Sequence, residues 1–136
     1  MKKIKYTVLP LLVFFSFSCT SDTTPCEEEI IIENPIPDTT LVIGQEPFRR
    51  DVVEEPVVFR HSEQKQIIVQ VTSEQHGVIA SSGGKRNDTN GSVTVVEVVP
   101  RRVGETQIHV TAIGGDCSPE LTNSFNVTVI DSVSSN

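Results

Sequence analysis

Thr106-Gln107-Ile108-His109-Val110-Thr111-Ala112 and Ser124-Phe125-Asn126-Val127-Thr128-Val129-Ile130 decide the fold. Each alternates strictly. Ile108, Val110 and Ala112 fall on one side of the first stretch, with Gln107, His109 and Thr111 on the other. Phe125, Val127 and Val129 oppose Asn126 and Thr128 in the second. A period of two residues puts one apolar and one polar row on opposite faces of a β-strand, and β-branched residues suit that half-buried surface. The reading extends outward. In Gln66–Thr72, Ile67, Val69 and Val71 oppose Gln66, Gln70 and Thr72. In Ser92–Val99, Val93, Val95 and Glu97 face one way and Thr94, Val96 and Val98 the other. Valines on both sides of that last strand imply cover on two faces or a local irregularity. Leu41–Ile43, Val57–Phe59 and Val78–Ala80 are shorter strand candidates. Ile30–Ile32 could open an edge strand, but Pro35 and Pro37 follow closely.

Turn residues separate these stretches. Gly83-Gly84 and Asn87–Gly91 read as one turn-rich loop, while Pro100–Gly104 and Gly114–Pro119 link the later strands. No ten-residue window carries helical spacing. The expectation is an all-β fold, an antiparallel β-sandwich of about seven strands.

The N-terminus has a different grammar. Lys2, Lys3 and Lys5 precede an apolar run, Tyr6–Phe17, which ends in Ser16-Phe17-Ser18-Cys19. About twelve apolar residues interrupted by Pro10 are too few to span a bilayer, which takes roughly 20, and fit the core of a secretory signal. The segment resembles the type II signal peptides of bacterial lipoproteins. That resemblance implies cleavage after residue 18 and diacylation of Cys19. One acyl chain holds a protein only marginally, and each further buried methylene adds roughly 0.8 kcal/mol, so two or three chains would anchor it firmly. Thr20 in place of the Asp that retains many such lipoproteins in the inner membrane implies the outer membrane, with the leaflet open. The alternative is ordinary cleavage nearby and a soluble secreted chain.

After residue 18 the chain keeps eight basic and eighteen acidic residues, a net charge near −10. Such a surface argues against nucleic acid or anionic lipid as partner. With Cys19 assigned to lipid, Cys26 and Cys117 remain. An even pair in an exported chain suggests a disulfide, the alternative being two free thiols. A loop of about 90 residues closed this way is worth on the order of 4–5 kcal/mol in the chain-entropy account. The organisation expected is a signal peptide over 1–18, a lipidated cysteine with an acidic flexible tether over 19–37, a sandwich domain over 38–131 and a short tail over 132–136.

Val71-Thr72-Ser73-Glu74-Gln75 leading to Val78-Ile79, Ser92–Pro100, Gly104–Ala112 (GETQIHVTA) and Phe125–Val129 (FNVTV) together resemble the strands of bacterial immunoglobulin-like and cadherin-like repeat domains, across residues 39–131. The resemblance implies an immunoglobulin-like sandwich acting as spacer, stalk or adhesive module. Such domains commonly come in tandem. A single copy shifts weight from a stalk towards binding a protein partner in the envelope.

Chemistry-bearing residues are sparse. Asp88, Asp116 and Asp131 are isolated and lack the acidic signatures of calcium-binding cadherins. His61, His76 and His109 have no metal-ligand spacing, and no serine lies in a GxSxG elbow. No cofactor, metal or catalytic residue is expected, and the chain reads as a non-enzyme. Glycan binding, as an accessory lipoprotein of an uptake system, is the weaker alternative. Stacking on sugars calls for Trp or Tyr; the chain has no Trp, its one Tyr is Tyr6, and Phe48, Phe59 and Phe125 look like core residues. Asp22-Thr23-Thr24, Asp38-Thr39-Thr40 and Asp131-Ser132-Val133 resemble an O-glycosylation acceptor of some Gram-negative surface proteins. This marks Thr23, Thr39 and Ser132 as candidates, with chance in a Thr/Ser-rich chain as the alternative.

Overall fold

The computed structural model describes residues 27–75, 77, 79–115, 117 and 119–132. Among these residues there are nine strands: β1 (Ile30–Ile32), β2 (Thr39–Val42), β3 (Phe48–Asp51), β4 (Phe59–His61), β5 (Ile67–Ser73), β6 (Ala80–Arg86), β7 (Val93–Pro100), β8 (Gly104–Gly114) and β9 (Glu120–Ile130). Seven of them build two sheets, ordered β2-β9-β8-β5 and β3-β7-β6, and β1 pairs with β4 as a separate ribbon. The orders β3-β7-β6 and β9-β8-β5 are those of the B-E-D and G-F-C sheets of an immunoglobulin-like sandwich. All pairs are antiparallel except one: β2 runs parallel to β9, Thr39 opposite Val127 through Val42 opposite Ile130. The sandwich is antiparallel as expected, with this one parallel pair at the edge of the larger sheet.

The alternating rows fill the space between the sheets. Val69, Ile108, Val110, Ala112, Phe125, Val127 and Val129 from one sheet meet Ala80, Val93, Val96 and Val98 from the other, all at most 1% exposed. At roughly 1.5–3 kcal/mol per fully buried side chain, this interface is the main source of stability. Phe48 packs on Phe125 with ring centroids 6.0 Å apart and tilted by 49°.

Three expectations are corrected. First, the acidic tether does not run on to residue 37. Ile30 and Ile36 are buried in the core, β1 is hydrogen-bonded to β4, and the Ile36 amide donates to Asn123 Oδ1 at 2.8 Å. The two prolines interrupt pairing between β1 and β2 without carrying the segment off the domain. Second, Gly83-Gly84 lies inside β6 opposite Glu97 and Val96 rather than in a loop. A β-carbon on Gly84 (φ +153°) would sit 1.7 Å from the Val95 carbonyl oxygen, so only glycine permits this approach. Third, Val93 does not share a face with Val95 and Glu97. The pairing shifts between Lys85 and Arg86, which face Val95 and Val93, leaving Thr94 as an extra residue. That bulge turns Val93 inward beside Val96 and Val98, and leaves Val95, Glu97 and Val99 half-exposed on the outer face.

Candidate functional site

The sandwich has two poles. At one lie the β3–β4 segment (52–58), the β4–β5 turn (62–66), the β6–β7 loop (87–92), residues 115, 117 and 119, and the entry of the chain at residues 27–30. At the other lie 43–47, residues 74, 75, 77 and 79, 101–103 and the exit at 131–132. This follows from strand directions: β2 and β9 both finish at the second pole, where Gly104 of β8 faces Val129.

The entry pole holds a polar cluster. The Glu28 side chain is 9% exposed and pairs through Oε1 with the Lys65 ammonium, which also meets Glu63 Oε2 at 3.0 Å. Its Oε2 accepts the Cys117 amide at 3.3 Å. His61, 3% exposed, accepts the Glu63 amide at Nδ1, and its buried Nε2 has no partner among the described residues. Both side chains press on Gly115 (φ +75°), where a β-carbon would lie 2.0 Å from Glu28 Oε2 and 2.9 Å from His61 Nε2. Both carboxylate oxygens are taken and the imidazole is closed off, so the cluster clamps the chain entry onto the β8–β9 loop. Among the described residues no three His, Cys, Asp or Glu converge to hold a metal ion.

Hydrogen-bonded pairs cover the outer face of the larger sheet: His109 Nδ1 with Ser124 Oγ at 2.8 Å, Thr111 with Thr122 at 2.8 Å, and Gln107 with Asn126 at 3.3 Å. Asp38 extends this row. Its carboxylate accepts the Asn126 backbone amide at 2.7 Å and the Asn126 side-chain amide at 3.2 Å. These two donors hold its pKa below the ordinary carboxylate value. Two arginines are also matched to acids. Arg49 meets Glu97, and Arg60 bridges Glu33 and Glu55. The Arg60 hydrogen bond and the Val57 amide lower the pKa of Glu55.

The candidates from sequence are scattered. Cys19, Cys26, Thr23, His76 and Asp116 lie outside the described residues. Cys117 is exposed beside Glu28 at the entry pole; Thr39 is half-buried in β2, and Ser132 is exposed after β9. His109 points outward as expected, and His61, the last residue of β4, is buried at the entry pole. The roles of Glu28, Asn123 and Ser92 were not visible in sequence. A glutamate in an acidic run and an Asn or Ser near a turn carry no periodic signal.

These strands and their order define an immunoglobulin-like β-sandwich domain. No family model and no curated protein matches the chain. Among solved structures, the atomic-resolution structure of titin domain M7 is similar to it, at 12% identity and a TM-score of 0.41, over 74% of this chain and 93% of that one.

Proposed function

We propose that the chain is an envelope lipoprotein which displays one immunoglobulin-like sandwich as a non-catalytic binding, adhesion or structural module. Cys19 carries the acyl chains and the outer membrane is the destination. The observation that supports this most is where the domain starts. Glu28 is clamped at one pole only nine residues after Cys19, and the second pole faces away from that entry. A lipid at Cys19 would leave the two outer sheet faces and the far pole open to a partner. Cys26 pairs with Cys117 in this reading, supported by the Glu28 contact that brings the chain entry to residue 117.

A protein partner is favoured over a glycan because the sandwich keeps its aromatic rings inside: Phe59 and Phe125 are at most 3% exposed and Phe48 is stacked on Phe125. Metabolic labelling with a fatty acid tests the anchor. Label is expected on the wild type and not on Cys19→Ala; an unlabelled wild type overturns it and leaves a secreted domain. A glycan array tests the rival, and a specific sugar hit would replace the protein-binding reading. Two free thiols in non-reducing mass spectrometry of exported protein would remove the disulfide.

A further inference from the structure

The open edge of β6 is the feature the preceding reading leaves unused. A strand at the end of a sheet presents unpaired backbone groups, and proteins usually guard such edges. Of the four sheet edges here, β2 and β3 are four residues long. On the β5 edge Ser92 Oγ accepts the Val69 amide at 2.8 Å and so guards one backbone group of that strand. β6 runs for seven residues and, among the described residues, pairs with β7 alone. Its middle, Ser81-Ser82-Gly83-Gly84, carries no proline, no charge and no bulky side chain.

Charge marks its two ends. Eight Lys and Arg residues follow residue 18. Arg49, Arg60 and Lys65 are ion-paired, and Arg50 donates to the Pro56 carbonyl at 3.0 Å. The other four, Lys85, Arg86, Arg101 and Arg102, are exposed and have no ion pair among the described residues. All four border β6. Lys85 and Arg86 finish the strand. Arg101 Nε reaches Ser81 Oγ at 3.3 Å, and the Arg101 and Arg102 amides both donate to the Ile79 carbonyl just before the strand. An acidic domain thus keeps its unmatched cations at both ends of one bare edge.

We infer that β6 accepts an extended acidic peptide strand by backbone pairing, with carboxylates at its two ends meeting Arg101/Arg102 and Lys85/Arg86. From Ser81 to Arg86 is five residues, about 17 Å at strand rise. The partner therefore carries acidic residues flanking an uncharged stretch of roughly that length. Pairing supplies affinity through main-chain hydrogen bonds, and the terminal charges supply selection. The same charges exclude a second copy of this chain. In a two-fold antiparallel pair, Lys85 and Arg86 of one copy would face Arg101 of the other. The inference rests on the protein-binding reading and names its surface.

The test uses the processed protein as purified from the cell. The probe is a labelled, end-blocked nine-residue peptide of alternating threonine and valine with two glutamates at each end. Binding by fluorescence anisotropy is expected, weakening as salt rises. Replacing the glutamates by lysines should abolish it, and N-methylating alternate peptide amides should weaken it at least ~10-fold by removing strand pairing. Arg101→Glu/Arg102→Glu, distant from the core, should also weaken it ~10-fold or more. Slowed hydrogen exchange of β6 amides in the complex places the peptide. Equal binding of the N-methylated or lysine peptide, or no binding at all, overturns the inference. A partner recovered from envelopes that still binds the Arg101→Glu/Arg102→Glu variant overturns it too, while leaving the binding-module reading intact.

Discussion

Gly84 is the described glycine with the least room for a side chain. Its absent β-carbon leaves room for the Val95 carbonyl beside a bulge, and a methyl there would overlap that oxygen at 1.7 Å. Gly84→Ala is expected to cost about 3 kcal/mol or more, read as a lowered midpoint in urea denaturation. Gly83, with nothing within 4 Å of its would-be β-carbon, should accept alanine nearly silently and serves as the control. Asp38 gives a pH-dependent case. Its folded pKa is depressed by two Asn126 donors from the ordinary value of 3.8. The carboxylate therefore contributes stability that is fully present above about pH 4 and is lost as pH falls through the lower, folded pKa. Asp38→Ala should be less stable than wild type at pH 6, and the gap should close in acid; a gap unchanged at pH 2 would contradict this. Neither role is periodic, which is why neither residue was legible in the sequence. Gly83-Gly84 looks like a turn whether a chain reverses there or a neighbouring carbonyl needs room.

Strands differ in how openly their residues declare them. β8 and β9 are legible because each has one wholly inward row and one wholly outward row, and their register then pairs Ile108 with Phe125. β7 is legible as a strand but not in its facing. A single extra residue, Thr94, moves Val93 from one row to the other. β6 is nearly silent, since serines and glycines give no apolar row and its pairing comes entirely from β7. Pro35 and Pro37 obscure β1 in the sequence, yet Ile30 and Ile36 are both buried. Ile30→Ala and Ile36→Ala are each expected to cost about 2–4 kcal/mol, as truncations in a packed core do. A segment that was merely a tether would show no change in thermal midpoint. Ser92→Ala should cost about 1–3 kcal/mol, because it strands the buried Val69 amide at the sheet edge. Native-state hydrogen exchange would show that amide losing protection before its neighbours in β5.

For the whole molecule, class was more visible than use. Alternation and turn spacing announce a sandwich, whereas the entry-pole clamp joins Glu28, His61 with Lys65, and Cys117 from three separate parts of the chain. Long-range convergence of that kind leaves no local pattern. If Cys26 and Cys117 are bonded, Cys117→Ser should lower the thermal midpoint of the exported protein, and reducing agent should lower the wild type to the same value; equal midpoints with and without reductant would argue against the bond. The parallel pairing of β2 with β9 has a mechanical side. The chain enters at one pole and leaves at the other, so once the Cys26–Cys117 bond is reduced, which would otherwise carry the load straight to β9, tension between a fixed N-terminal end and the C-terminal end draws β2 and β9 in opposite directions along their shared axis. The four register pairs from Thr39–Val127 to Val42–Ile130 are then loaded together in shear instead of being unzipped one at a time. A domain held at one end against flow or a moving partner would give way abruptly at high force, and not by gradual peeling.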